Sequence, residues 1–69
     1  MKISARNMLK GKVKQIRPGV VNSAAIIELP GGSEVVSITT KESADKLGLA
    51  VGKEAYAIMK ASNVMVGID

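Results

Sequence analysis

The order of elements in this 69-residue chain, β-β-β-α-β-β, predicts an all-β domain, a five-stranded OB-fold-type barrel with one short helix between strands 3 and 4. Three observations carry that prediction. Apolar and polar residues alternate with a period of two from Leu9, glycine and proline punctuate the chain at Pro18-Gly19 and Pro30-Gly31-Gly32, and a helix-capping signal at Thr39 and Glu42 interrupts the strand pattern. An SH3-like barrel is the main competitor, but it would not need the capped helix. No internal repeat, low-complexity tract or linker divides residues 1–69, which read as a single domain.

Leu9, Gly11 and Val13 share one face of the first strand, and Lys10, Lys12 and Lys14 the other. The next apolar residue, Ile16, comes three positions after Val13, an odd step that predicts a β-bulge. Pro18-Gly19 then predicts a tight turn, with glycine at positive φ, and hence a hairpin. The second strand, about Val21 to Leu29, contains Ala24-Ala25-Ile26-Ile27 and is apolar on both faces, so both sides call for cover, the second by another subunit. A third strand, about Glu34 to Thr40, places Val36, Ile38 and Thr40 on one face and Val35, Ser37 and Thr39 on the other.

Thr39 and Glu42 are spaced as a capping box, which predicts a helix from about Lys41 to Leu47. Ala44 and Leu47 form its inward stripe, and Gly48 can take the left-handed position that ends it. Such a helix is too short to stand alone and must pack on the sheet. Gly52 turns the chain into a fourth strand, about Lys53 to Lys60. After Lys60-Ala61-Ser62-Asn63 a fifth runs from Val64 to Ile68, with Val64, Val66 and Ile68 pointing one way.

A chain this small buries only about 60% of its unfolded surface, so the core is marginal. With no cysteine and no histidine, disulfides and Cys/His zinc sites are excluded, and oligomerisation is the stabilising device left. There is no secretory signal and no apolar stretch near the ~20 residues that span a bilayer, so the expectation is a cytoplasmic protein without membrane contact. Lys and Arg number 10 against 6 acids, and residues 1–20 hold Lys2, Arg6, Lys10, Lys12, Lys14 and Arg17 with no acid. Such a region attracts an anion, although solvated strand faces carry lysines routinely.

Enzymatic chemistry has little to work with. The commonest general base and the best nucleophile are missing, and the six carboxylates are scattered beside turns and on exposed faces, with no cluster for a divalent cation. OB folds often bind single-stranded nucleic acid, using bases stacked on aromatic rings, but Tyr56 is the only ring here. Pro30-Gly31-Gly32 lacks the Lys-Ser/Thr and long helix of a phosphate loop. A small tetrahedral oxyanion suits the inventory better: Arg6 and Lys60 supply charge, Ser4, Ser62 and Asn22 or Asn63 supply neutral donors, and loop N–H groups complete a shell. Read by spacing alone, Ser4-Ala5-Arg6-Asn7 and Lys60-Ala61-Ser62-Asn63 are equally a chain end and a turn.

Those same residues resemble the molbindins, small molybdate-binding proteins built from a single Mop domain. The likeness rests on Ser4-Ala5-Arg6-Asn7 with Leu9 and Gly11, on Gly19-Val20-Val21-Asn22, on Ser37-Ile38-Thr39-Thr40 through Ser43, on Leu47-Gly48-Leu49, and on Ile58-Met59-Lys60-Ala61-Ser62-Asn63-Val64-Met65. It spans nearly the whole chain and departs at Ile58-Met59, where related chains often carry a second β-branched residue. The resemblance implies a homohexamer, a trimer of dimers, holding molybdate, and tungstate with it, between subunits for storage and homeostasis, with no cofactor. Its site residues, carried onto this chain, are Ser4, Arg6, Val20, Asn22, Lys60, Ala61 and Ser62. A further class of sites near the symmetry axes, to which Ser37 and Ser43 could contribute, is also implied. The rival reading is a nucleic-acid-binding OB module using Lys10, Lys12, Lys14 and Arg17 on phosphates.

Overall fold

The alternation that begins near Leu9 becomes an eleven-residue strand, β1 (Asn7–Arg17), in the computed structural model, which describes residues 4–69. Gly11 and Val13 point inward and Lys10, Lys12 and Lys14 outward, because a strand turns successive side chains to opposite faces. The odd step after Val13 is a bulge: Val13 pairs with Ile27 and Gln15 with Ile26, so Lys14 is the extra residue. Strand β2 (Asn22–Glu28) returns antiparallel to β1, as the Pro18-Gly19 turn predicts. Gly19, however, is not at positive φ. It is there for room, since a Cβ on it would lie 2.3 Å from the Asn22 carbonyl oxygen.

Strand β3 (Glu34–Thr40) pairs antiparallel with β2 along its whole length, from Asn22 opposite Thr40 to Glu28 opposite Glu34. Gly31 at φ 95° and Gly32 at φ 96° close the turn between them. Ser23, Ala25 and Ile27 of β2 are buried, while Ala24 and Ile26 on its other face are half-buried beside exposed Val36 and Ile38 of β3. The doubly apolar strand thus has one covered face and one that is covered only in part.

Helix α1 (Lys41–Leu47) follows without a loop. Its N-cap is Thr40 rather than Thr39: the Thr40 hydroxyl accepts the Ser43 N–H at 3.1 Å and donates to the Ser43 hydroxyl at 2.9 Å. Thr39 instead faces inward opposite buried Ser23, since its position in β3 fixes its direction before the helix begins. Gly48 takes the left-handed conformation at φ 64°, and its N–H returns to the Ala44 and Asp45 carbonyls. Ala44 is buried, but Leu47 is 67% exposed at the rim of the interior, and half-buried Leu49 packs in its place. Gly52, at φ 90°, donates to the Val13 carbonyl while Val13 donates to that of Lys53, which docks the turn on β1 and starts β4 (Glu54–Met59).

Strand β4 pairs antiparallel with the first half of β1, giving the sheet order β3-β2-β1-β4. The sheet curls until its two edges face one another across a cavity of about 340 Å³, with Ser37 and Thr39 on the β3 side, Tyr56 and Ile58 on the β4 side, and Val13 and Ile27 between. Among the described residues the buried apolar ones are few: Val13, Ala25, Ile27, Ala44 and Ala57. Among the described residues the predicted fifth strand does not form. Ala61–Asn63 make a single 3-10 turn, and residues 64–69 are exposed and joined to no strand. A strand exists only through a neighbour's backbone, and this segment runs clear of both sheet edges, so the chain forms a curled four-stranded sheet in place of a closed five-stranded barrel.

Candidate functional site

The β1–β4 ladder decides which donors meet. Asn7 lies opposite Met59, so the segment entering β1 and the segment leaving β4 are side by side. Ser4, Ala5, Met59, Lys60, Ser62 and Asn63 line one open cavity of about 490 Å³. Two stretches more than fifty residues apart in the sequence therefore share one surface, as an oxyanion site needs. Arg6 is exposed between Ala5 and the start of β1, at the margin of this cavity.

The 3-10 turn supplies backbone donors. The Asn63 N–H bonds to the Lys60 carbonyl at 2.9 Å and the Val64 N–H to that of Ala61 at 3.3 Å. The N–H groups of Ala61 and Ser62, in the first part of the turn, have no carbonyl three residues back within it. Together with the Lys60 ammonium and the Ser4 and Ser62 hydroxyls they form a donor cluster at the surface, and no acid lines the cavity.

Val20 and Asn22 lie elsewhere. They sit at the far end of β1, where Arg17 opposes Ala24, and ten strand steps of ~3.3 Å separate Asn7 from Arg17 by roughly 30 Å. Val20 is 94% exposed and lines a different cavity, with Val21, Thr40, Lys41 and the Glu42–Lys46 pair. Of the seven candidate residues, then, five gather near one end of the molecule and two at the other. Asn63, the alternative neutral donor to Asn22, falls in the first group, and Ala5 and Met59, which spacing alone did not single out as ligands, join it. The signal for them was present in the register, because any residue flanking the Asn7–Met59 pair is drawn there.

Two of the four cations of the basic stripe on β1, Lys10 and Lys14, are paired with acids. Lys10 lies 3.2 Å from Glu54, and Lys14 contacts both Glu34 and, at 3.6 Å, Glu28. Hydrogen bonding to Glu54 raises the pKa of Lys10, and hydrogen bonding to Glu34 that of Lys14, so both ammonium groups are held charged beside acids. A phosphate backbone would have to displace those acids, which weakens the nucleic-acid reading of this face.

Comparison with known proteins agrees with the geometry. The family model of the TOBE domain matches residues 3–66. Over its full 69 residues the chain is 52% identical to the whole of a probable molybdenum-pterin-binding protein of Haemophilus influenzae. MopII of Clostridium pasteurianum, in an apo form, superposes with a TM-score of 0.92 at 40% identity, covering 97% of this chain and 100% of that one. The cytoplasmic molybdate-binding protein ModG, with molybdate bound, superposes with a TM-score of 0.95 at 46% identity over all of this chain and 49% of its own.

Proposed function

Since the chain belongs to the TOBE-domain family, and within it to the Mop-type molybdenum-binding proteins, we propose that it binds molybdate as a homo-oligomer and serves as a cytoplasmic store of the oxyanion. Its role is binding rather than catalysis. The observation that carries the reading is the meeting of Ser4 with Lys60 and Ser62 at one acid-free cavity. A tetrahedral dianion offers four acceptor oxygens, and charge-assisted bonds from Lys60 and Arg6, with hydroxyl and backbone donors, match that demand. Tungstate, of the same shape and charge, fits the same donors.

The site is intersubunit. Val20 and Asn22 stand roughly 30 Å from Lys60 along β1, further than any one anion can reach, so a shell containing both groups takes them from different chains. Burial between subunits would also strengthen the donor bonds by excluding water. A hexamer built as a trimer of dimers supplies such junctions. Ligand held only by the assembly stabilises it by mass action, which links uptake to oligomerisation.

Equilibrium dialysis against molybdate with metal analysis, run beside native mass spectrometry, tests the reading. The expected result is bound molybdenum in proportion to an oligomeric mass. Protein that retains no molybdenum above background would overturn it.

A further inference from the structure

We infer that Met59 is an oxidation site that empties the donor cavity: a peroxide converts its thioether to a sulfoxide, whose oxygen takes the donors that the anion needs. Burial alternates along β4, where Ala55 and Met59 are half-buried and Ala57 buried while Glu54, Tyr56 and Ile58 are exposed. Met59 is therefore the last residue of the strand's inward stripe. It lies opposite Asn7 and directly before Lys60, where that stripe meets the cavity of about 490 Å³. Among the described residues that line this cavity it carries the one sulfur, beside Ser4, Lys60, Ser62 and Asn63.

A thioether sulfur is a weak acceptor, so reduced Met59 leaves the Lys60 ammonium and the two serine hydroxyls to a ligand. A sulfoxide is polar and presents an acceptor oxygen. Set among donors, with no acid in the cavity, that oxygen competes with an oxyanion for the same hydrogen bonds. Being tethered, it competes at every concentration of ligand. On the molybdate reading, on which this consequence rests, oxidation of one side chain becomes a release signal.

The step balances with hydrogen peroxide as the oxidant. A sulfur lone pair attacks one peroxide oxygen, an S–O bond forms and the O–O bond breaks. The departing hydroxide takes the proton of the transferred oxygen and leaves as water, so sulfur loses two electrons and the peroxide gains them. Access follows from size: a peroxide is smaller than a tetrahedral oxyanion, so a path that admits the anion admits the oxidant. Bound anion fills the cavity and shields the sulfur. Methionine sulfoxide reductases reverse the step. Met8 and Met65, 45% and 93% exposed, offer their sulfur more freely, but neither lines the donor cavity.

Peroxide treatment of the full chain, with and without saturating molybdate, tests the inference by peptide mass spectrometry and equilibrium dialysis. Met59 should gain its oxygen at least about tenfold more slowly with molybdate present, since the empty site is the one that reacts. Oxidised protein should bind molybdate at least about tenfold more weakly, the equivalent of one lost charge-assisted bond, while far-ultraviolet circular dichroism stays that of the strands. A sulfoxide reductase should restore the affinity. Met59→Leu has no sulfur at this position and should keep whatever affinity it has through the same treatment.

Met59 left reduced while Met65 is oxidised would overturn the proposal, as would oxidation that molybdate does not slow. So would an affinity that oxidation of Met59 leaves unchanged, or one lost together with the strand signal or not restored by the reductase. Loss of affinity in treated Met59→Leu equal to that of wild type would place the lesion at another methionine and overturn it too. Untreated wild type that binds no molybdate would remove the functional reading itself; wild type that binds equally before and after oxidation would remove the oxidation site alone.

Discussion

Asn7 stands opposite Met59 in the β1–β4 ladder, and that one register brings Ser4 to the same cavity as Lys60 and Ser62. A shift by one residue would turn every side chain of β4 to the other face. Lys60 is exposed and joined to no acid among the described residues, so its charge is available to a ligand. Lys60→Ala should leave the melting temperature without ligand almost unchanged and remove most of the rise that molybdate produces. A charged hydrogen bond contributes about 1.5–3 kcal/mol, so affinity should fall roughly ten- to a hundredfold. Thermal melts with and without molybdate decide it, and an undiminished rise in the variant would exclude Lys60 from the site.

Gly11 passes under the β2 end of the sheet with no space for a side chain. A Cβ there would lie 2.4 Å from the Glu28 carbonyl oxygen and 2.8 Å from Ile27 Cγ2. Backbone on one side and the core on the other leave little to yield, so Gly11→Ala should destabilise the protein by about 1–3 kcal/mol. Chemical denaturation gives the value. Because Gly11 is remote from the donor cavity, any loss of molybdate binding should follow the loss of fold.

Much of the fold was legible because it is written in local signals. The period of two, the step at Ile16 and the paired glycines of the second turn each have a backbone cause, and each stands where it was expected. The Thr39 cap misread a tie between adjacent threonines, which only the facing of β3 resolves. Gly19 looked like a turn glycine by φ, but close approach to Asn22 explains it, and such crowding has no sequence signature. The fifth strand was read from a genuine alternation at Val64, Val66 and Ile68, yet alternation says that a segment can pair and not with what. The seven proposed site residues were chosen for donor chemistry, while their division between two ends of β1 depends on strand pairing over long separations.

Thr40 joins β3 to α1, since its hydroxyl caps the first turn of the helix through Ser43. Thr40→Ala should cost about 1 kcal/mol, the usual effect of removing such a cap. Ser at this position should restore most of it. Denaturation of the two variants side by side separates the lost hydroxyl from the lost methyl, and equal destabilisation by both would count against the capping role.

Lys14, displaced outward by the bulge, reaches Glu34 and Glu28, and the Glu34 hydrogen bond raises its pKa above the usual 10.5. The sign follows from the direction of the shift: the folded state holds the proton more tightly, so the contribution is whole below pH 10.5 and is lost as pH rises through the higher folded value. Lys14→Gln should therefore flatten the decline in melting temperature in that alkaline window. At neutral pH the exposed pair is screened, and added salt should change the midpoint little.

The separation of Asn22 from Lys60 along β1 makes the intersubunit site testable by mixing variants. Asn22→Ala and Lys60→Ala each spoil every site in their own homo-oligomer. In a site that takes Asn22 from one chain and Lys60 from another, an Asn22→Ala subunit supplies an intact Lys60 and a Lys60→Ala subunit an intact Asn22. Unfolding the two variants together and refolding them in equal amounts should then restore about a quarter of the sites, the chance that both donors come from undamaged positions. If both donors belonged to one chain, no mixture could restore any. Molybdate bound per subunit, measured by dialysis of the co-refolded sample, distinguishes the two cases, and recovery near zero would rule out the shared site.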